Sequence, residues 1–258
     1  CFQFTWAGNS VLLDPFFSRH PVFRSIFGEI HTDPTQIAPY LPQLKHVSTV
    51  LVGHGHFDHM LDLPYLAPRL SPETVVIGSQ TLKHSLAPLD LPVTWAVANP
   101  IAATPDTVGD WVWNETRTIR VMPITSTHAT HLGPIHLYKQ HLTVDRSTPP
   151  VRAKHLQEGQ SFAFLIDFMA PDGSRIAHRV YAQTSSSGHP SGAFPPAVLA
   201  ERAVDVAVVS MDAAKEAARG VPSVLDFVQP RVAFVGHWDS FFRTKNQPPR
   251  EVPKVNLK

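Results

Sequence analysis

Four side chains of types that bind metals fall within six residues, His54, His56, Asp58 and His59, in the run His54-Gly55-His56-Phe57-Asp58-His59. Imidazole nitrogens and carboxylate oxygens are the donors that zinc and similar divalent cations take. A lone histidine is most often a packed or solvated residue, but this density is not explained that way. The chemistry such a cluster supports is hydrolytic. A bound ion lowers the pKa of its water toward neutrality and polarises the bond to be cut. Asp58 is expected to be a ligand and also the orienter or base for that water.

The flanking residues indicate what holds the cluster. Val47-Ser48-Thr49-Val50-Leu51-Val52 is apolar and β-branched and reads as a buried strand. Leu61 to Ala67 reads as the start of a helix. The ligands therefore sit on a strand-to-helix turn, where open α/β sheets place their sites. In an extended segment His54 and His56 point the same way, because side chains repeat every two residues, so they can share one ion. Gly53 and Gly55 permit a tight bend between them. Asp58 and His59 lie past the bend and can turn to a second ion.

The His-x-His-x-Asp-His order resembles the signature of the metallo-β-lactamase-fold hydrolases. Leu12-Leu13-Asp14-Pro15, Ser126-Thr127-His128 and Gly236-His237-Trp238 match the same family's wider pattern, so the resemblance runs from about Phe2 to Phe242. It implies an α/β (α+β) fold, a four-layer αββα sandwich, formed as a single domain over residues 1–258. It implies one or two zinc ions, with manganese or iron as alternatives. His54, His56 and His128 would form the first site, and Asp58, His59 and His237 the second. His131 competes with His128 as the third ligand of the first site. His131 and Trp238 are candidates to line the substrate pocket. Asp14 would lie beneath the metal loop; a turn-forming Asp before Pro15 is the competing reading.

One departure stands out. The family carries an aspartate that bridges the two metals just after the strand at Tyr181, and here Gln183-Thr184-Ser185 occupies that place. Thr184 aligns with the missing acid, and a neutral hydroxyl is a poor ligand for such ions. The second ion is therefore expected to bind more weakly. Asp212 is the nearest other acid and lies well beyond the expected loop. The family also has a short strand ahead of the position of Phe2, so a few residues are expected to be missing from the ends of the sequence.

The 258 residues, 43% hydrophobic and 17% charged, suit one α/β domain with a sizeable core. A net charge of +1 makes no electrostatic case for nucleic acid or an anionic membrane surface, and a small-molecule substrate is expected. The one cysteine, Cys1, excludes an internal disulfide framework and a cysteine-based zinc site. No apolar run reaches the length of a membrane span. Location is left open, with the cytoplasm favoured.

The remaining chain is expected to alternate strands and helices. Phe2–Trp6 and Ser10–Leu13 read as a hairpin, and residues 16–42 as a long loop. A strand at Thr74–Ile77, a helix from Ser79 to Leu86 and a strand at Val93–Val97 continue a βαβαβ pattern. Strands at Gly109–Trp113 and Arg117–Pro123 precede an irregular stretch, 132–160, whose His136, His141, Arg146, Arg152 and His155 are open to substrate. A hairpin turns at Pro171-Asp172-Gly173. A helix at Pro195–Ala203, a strand at Val204–Val209, a helix at Ser223–Val228 and a strand at Val232–Val235 complete the pattern. Two functional classes follow: a metal-dependent hydrolase of an ester, lactone, amide or phosphodiester bond, or a degenerate relative with one metal or none that binds or scaffolds. Thr184 motivates the second.

Overall fold

Ala7 and Gly8, both left-handed at φ 47° and 80°, join the first two strands by a two-residue turn whose twist suits a tight hairpin. The computed structural model to which this hairpin belongs describes residues 1–129, 136–185, 188–244 and 246–251. Its elements fall into two compact units: residues 1–97, 138–159 and 239–258, and residues 98–137 and 160–238.

The first unit is built on a sheet in the order β1-β2-β3-β4-β5. The strands are β1 (Phe2–Trp6), β2 (Asn9–Leu13), β3 (Val47–Leu51), β4 (Val75–Gly78) and β5 (Thr94–Val97). β1 and β2 are antiparallel, and β2 to β5 are parallel. Parallel neighbours need crossovers of about a dozen residues or more, so helices and long loops separate them. The C-terminal ends of β2 to β5 consequently share one edge. Val47 and Val50 of β3, Leu12 and Val76 pack with Leu63, Leu66, Leu82 and Leu86 from the crossovers. Full burial of such side chains contributes about 1.5–3 kcal/mol each. Ser79 caps the helix Gln80–Leu86, its hydroxyl accepting from the Leu82 amide at 3.0 Å.

The long loop expected over residues 16–42 is interrupted by short helices at Val22–Phe27, Pro34–Ile37 and Leu41–Leu44. Helices of four to six residues are too short to show a hydrophobic period, so the sequence reads as irregular. Residues 138–159 are irregular as expected, except for a 3₁₀ turn at Ala153–His155.

The second unit carries β6 (Val112–Trp113), β7 (Ile119–Ser126), β8 (Ser161–Met169), β9 (Ile176–Gln183), β10 (Val206–Ser210) and β11 (Val232–Gly236). Their order is β11-β10-β9-β8-β7-β6. β6 to β9 form an antiparallel meander, and β9, β10 and β11 are parallel. It follows that β7, β9, β10 and β11 run in one direction and end along one edge. Gly173, at φ 68°, turns β8 into β9. Met122, Ile124, Leu165, Tyr181, Val209 and Phe194 form the core on this sheet.

Two expectations for this unit need correction. The strand expected from Gly109 shrinks to Val112–Trp113, and a Cβ at Gly109 would stand 2.5 Å from the Ala103 nitrogen. The helix Met211–Ala218 was not expected, although its alanine-rich run is a strong helix former. Asp212, the candidate substitute for the missing acid, lies exposed in the first turn of that helix, where the helix dipole favours a negative charge.

Arg179 is buried in this unit against Asp167, with Nε 2.6 Å from Oδ1 and Nη2 2.8 Å from Oδ2. Its Nη1 donates to the carbonyls of Val198 and Arg202, both at 2.7 Å. Arg120 reaches the same carboxylate at 2.8 Å and stacks on Trp111 at 4.0 Å.

Candidate metal centre

The chain leaves β3 at Leu51, bends through residues 53–56, and enters a short helix at Phe57–Met60. His54 and His56 are therefore on a run of bends rather than in an extended segment. Their rings still meet, 4.7 Å apart and nearly perpendicular. His59 comes back against His54 at 3.9 Å. Asp58 and His59 fall within the helix, one turn earlier than the sequence suggested. All three rings are buried. The structure thus brings together His54, His56, Asp58 and His59.

Gly55 is needed for a close approach, not for an unusual dihedral. A Cβ there would stand 2.2 Å from the Gln157 carbonyl oxygen, and the Gly55 amide donates to the Glu158 carbonyl at 2.9 Å. The segment around Gln157 thus holds the bend from outside. Nothing in the local sequence signals this contact, because it joins residues a hundred positions apart.

Asp14 lies under the loop, as the resemblance implied. Its Oδ1 accepts from the Gly53 amide at 2.8 Å, and its Oδ2 sits 2.8 Å from Nδ1 of His59. Asp14 itself is left-handed at φ 49°, a conformation that aspartate tolerates better than most residues. Asp58 Oδ2 lies 3.4 Å from Nε2 of His59. Burial opposes a charge on His59, but the carboxylates of Asp14 and Asp58 outweigh it and push the pKa up to about 10. Asp62 is a further acid that the sequence did not single out. It accepts from the Ser18 amide at 2.8 Å and the Ser18 hydroxyl at 2.6 Å, fixing the loop that follows Asp14. Burial raises its pKa despite those bonds.

In the second unit, His128 follows β7 and His237 follows β11, so both sit at the edge where β7, β9, β10 and β11 end. His128 is half-buried, 5.3 Å ring to ring from His136, and its Nδ1 contacts the Ala129 carbonyl. His237 is exposed and left-handed at φ 58°. Trp238 beside it is half-buried. His131 lies outside the described residues. Thr184, just past β9, is half-buried. Its neighbour Gln183 is fully buried and donates from Nε2 to the Ser126 hydroxyl and the Ser191 carbonyl, both at 3.0 Å. Ser191 in turn accepts from the Thr127 amide at 2.9 Å. This network, invisible in the sequence, fixes the backbone on which His128 is carried.

The donors of the first unit suit a divalent cation. Three imidazoles and a carboxylate converge on one bend, and two acids make the local field favourable to positive charge. A family model described as a beta-lactamase superfamily domain matches residues 9–238. The chain belongs to the beta-lactamase superfamily. A metal-dependent hydrolase of Azorhizobium caulinodans is 36% identical over 61 residues, which is 24% of this chain and 20% of that protein, so the chain matches about a fifth of that relative. Among solved structures, Igni18, a metallo hydrolase of the hyperthermophilic archaeon Ignicoccus hospitalis, aligns at a TM-score of 0.51 and 14% identity. That alignment covers 92% of this chain and 78% of that one. It speaks for the fold alone. The human tRNase Z short form aligns at a TM-score of 0.43 and 12% identity, over 90% of this chain and 83% of that one, and carries no argument.

The superfamily member described here has the metallo-β-lactamase type of fold, mixed α/β with two sheets and few helices. That fold and the His/Asp cluster imply a metal ion, and the family is one of metal-dependent hydrolases. Among the described residues no helix is long and apolar enough to cross a membrane.

Proposed function

We propose that this chain is a zinc-type hydrolase acting on an ester, lactone, amide or phosphodiester bond of a small molecule, with its two units working as one domain. Manganese or iron could replace zinc with the same donors. His54, His56 and His128 hold the tighter ion in this reading, and Asp58, His59 and His237 the weaker one. The observation that carries it is the buried convergence of the His54, His56 and His59 rings above Asp14.

A divalent ion held there would supply a water activated near neutral pH and polarisation of the substrate oxygen. The chain's own residues do the rest. Asp14 keeps the Nδ1 proton on His59, so Nε2 is left as the donor atom. Asp58 orients a nucleophilic water and accepts its proton. The Gln157–Glu158 backbone holds the bend at Gly55 so that these groups keep their spacing.

Elemental analysis coupled to a panel of esters, lactones, β-lactams and phosphodiesters tests this reading. His54→Ala and His56→Ala should each lose most of the tighter metal, and His237→Ala only the weaker one. Unchanged stoichiometry and affinity in the first two variants would exclude the ligand assignment. The residue at Thr184 favours one rival, a binding or scaffold protein that keeps the fold and one metal or none. Bound metal without turnover across the panel would select that rival.

A further inference from the structure

Away from the histidines, the first unit contains a cavity of about 320 Å³ lined by Arg19, Tyr40, Arg243, Thr244, Gln247 and Pro249. None of His54, His56, Asp58 or His59 lines it. Its walls come from three stretches of the chain, at Arg19, at Tyr40 and over residues 243–249. Arg19 belongs to the loop after β2, where its amide donates to Gln36 Oε1 at 3.1 Å. Arg243, Thr244, Gln247 and Pro249 belong to a folded loop closed on itself. In that loop Ser240 donates to the Arg250 carbonyl at 2.7 Å, Gln247 to the Thr244 carbonyl at 3.0 Å, and Arg243 Nε to the Pro248 carbonyl at 2.8 Å. Phe241 fastens the loop, packing edge-on against Phe16 at 6.4 Å and Phe57 at 6.0 Å.

The charge in this cavity is specific. Arg19 Nη1 pairs with Asp239 Oδ2 at 2.5 Å, so one guanidinium is neutralised. Arg243 has no carboxylate partner among the described residues, and its two terminal nitrogens make no hydrogen bond there. Among the described residues, two guanidinium groups against one carboxylate leave a single positive charge. A guanidinium presents paired N–H donors in a plane, which match the two oxygens of a carboxylate or phosphate. Tyr40, Thr244 and Gln247 add uncharged hydrogen-bonding groups around that fork. The volume falls in the range of small-molecule sites.

We propose that this cavity binds a singly charged oxyanion, the carboxylate or phosphodiester group of a small molecule, between Arg19 and Arg243. The binding is separate from the hydrolytic chemistry, though Phe241 ties the loop to Phe57, the residue before Asp58.

An NMR titration of the metal-loaded full chain with dimethyl phosphate, and separately with acetate, follows the backbone amides of Thr244 and Gln247. Sodium chloride is the control. At least one of the two anions should give a saturable one-site shift, and the tighter of them names the group. Arg243→Ala should weaken it about tenfold, the loss expected for a charge-assisted contact, while Arg243→Lys should weaken it less. Gln247→Ala, which leaves both charges in place, should also weaken binding and serves if Arg243→Ala fails to fold. Absence of a saturable shift with either anion overturns the proposal. So does an affinity unchanged in Arg243→Ala, because such binding would be at the metal. Neither result depends on turnover, so a failure here is distinct from a failure of the hydrolase reading.

Discussion

One carboxylate, Asp14, ties both ends of the metal loop, accepting the Gly53 amide with one oxygen and holding Nδ1 of His59 with the other, each at 2.8 Å. The loop's backbone and the His59 ring are thereby set by a single side chain just past the neighbouring strand. Asp14→Ala should weaken the metal bound through His59 by about 10–100-fold, the usual loss when such a partner is removed. Asp14→Asn should lose less, since asparagine also tolerates the left-handed backbone and can still accept one of the two hydrogen bonds. Calorimetric zinc titration of both variants measures this; parent-like affinity in Asp14→Ala would show that His59 needs no such support.

Gly55→Ala places a methyl group 2.2 Å from the Gln157 carbonyl, a backbone atom that cannot move alone. The bend or the 157–159 segment must shift. Overpacking of this kind costs about 1–3 kcal/mol. The variant should melt at a lower temperature and hold less metal. Thermal unfolding with elemental analysis reads both quantities on one sample.

Thr184→Asp should tighten the weaker metal site. Two cations in such centres repel each other at about 3.5–4 Å, and a carboxylate between them offsets that repulsion. In the parent protein the occupancy of the weaker site should therefore lag behind the tighter one. Zinc titration of both forms decides it: two equal, tight equivalents in the parent and no change on substitution would mean that another residue supplies the bridge.

Asp167→Ala should destabilise the second unit by about 3–5 kcal/mol, because it removes the buried carboxylate that pairs with Arg179 and leaves only the half-exposed Glu201, 3.2 Å away. Replacing both partners with apolar residues of similar volume should cost less than this single change. Urea unfolding of the single and double variants gives the comparison.

Glu201 makes part of the acid sensitivity of that network predictable. Burial raises its pKa, but Arg120 and Arg179 outweigh burial and hold it below the ordinary 4.5. Folding thus lowers this pKa. Its contribution is complete above 4.5 and is lost as pH falls through the lower folded value. Half of the side chain is exposed, so the effect is small and screened by salt. Glu201→Gln should lower the neutral plateau of a stability–pH profile slightly and flatten its acid limb, the two proteins converging at low pH.

Local pattern alone was enough to bring the candidate ligands His54, His56, Asp58 and His59 to one bend and to place most strands. His54, His56, Asp58 and His59 are close in the chain, so any compact turn after β3 brings them together. The hairpin at Ala7-Gly8 and the turn at Pro171-Asp172-Gly173 are equally local, since Gly8 and Gly173 each meet a left-handed position directly. The short helices between residues 16 and 42 were not legible, because four to six residues are too few to establish a period. The helix Met211–Ala218 is consistent with its alanine-rich run, a strong helix former. Tertiary structure alone decided which atoms support the centre. That the Gln157 carbonyl closes on Gly55, that Asp62 anchors Ser18, and that Gln183 stitches Ser126 to Ser191 are contacts between segments distant in sequence. Each depends on where crossovers and loops return to a sheet. The same holds for Arg19 and Arg243, whose charges share a cavity because Asp239 and Phe241 fold their loop back onto the first unit. Sequence fixes what each side chain can do; the distances at which charges and donors act are set when the packed core brings remote segments into contact.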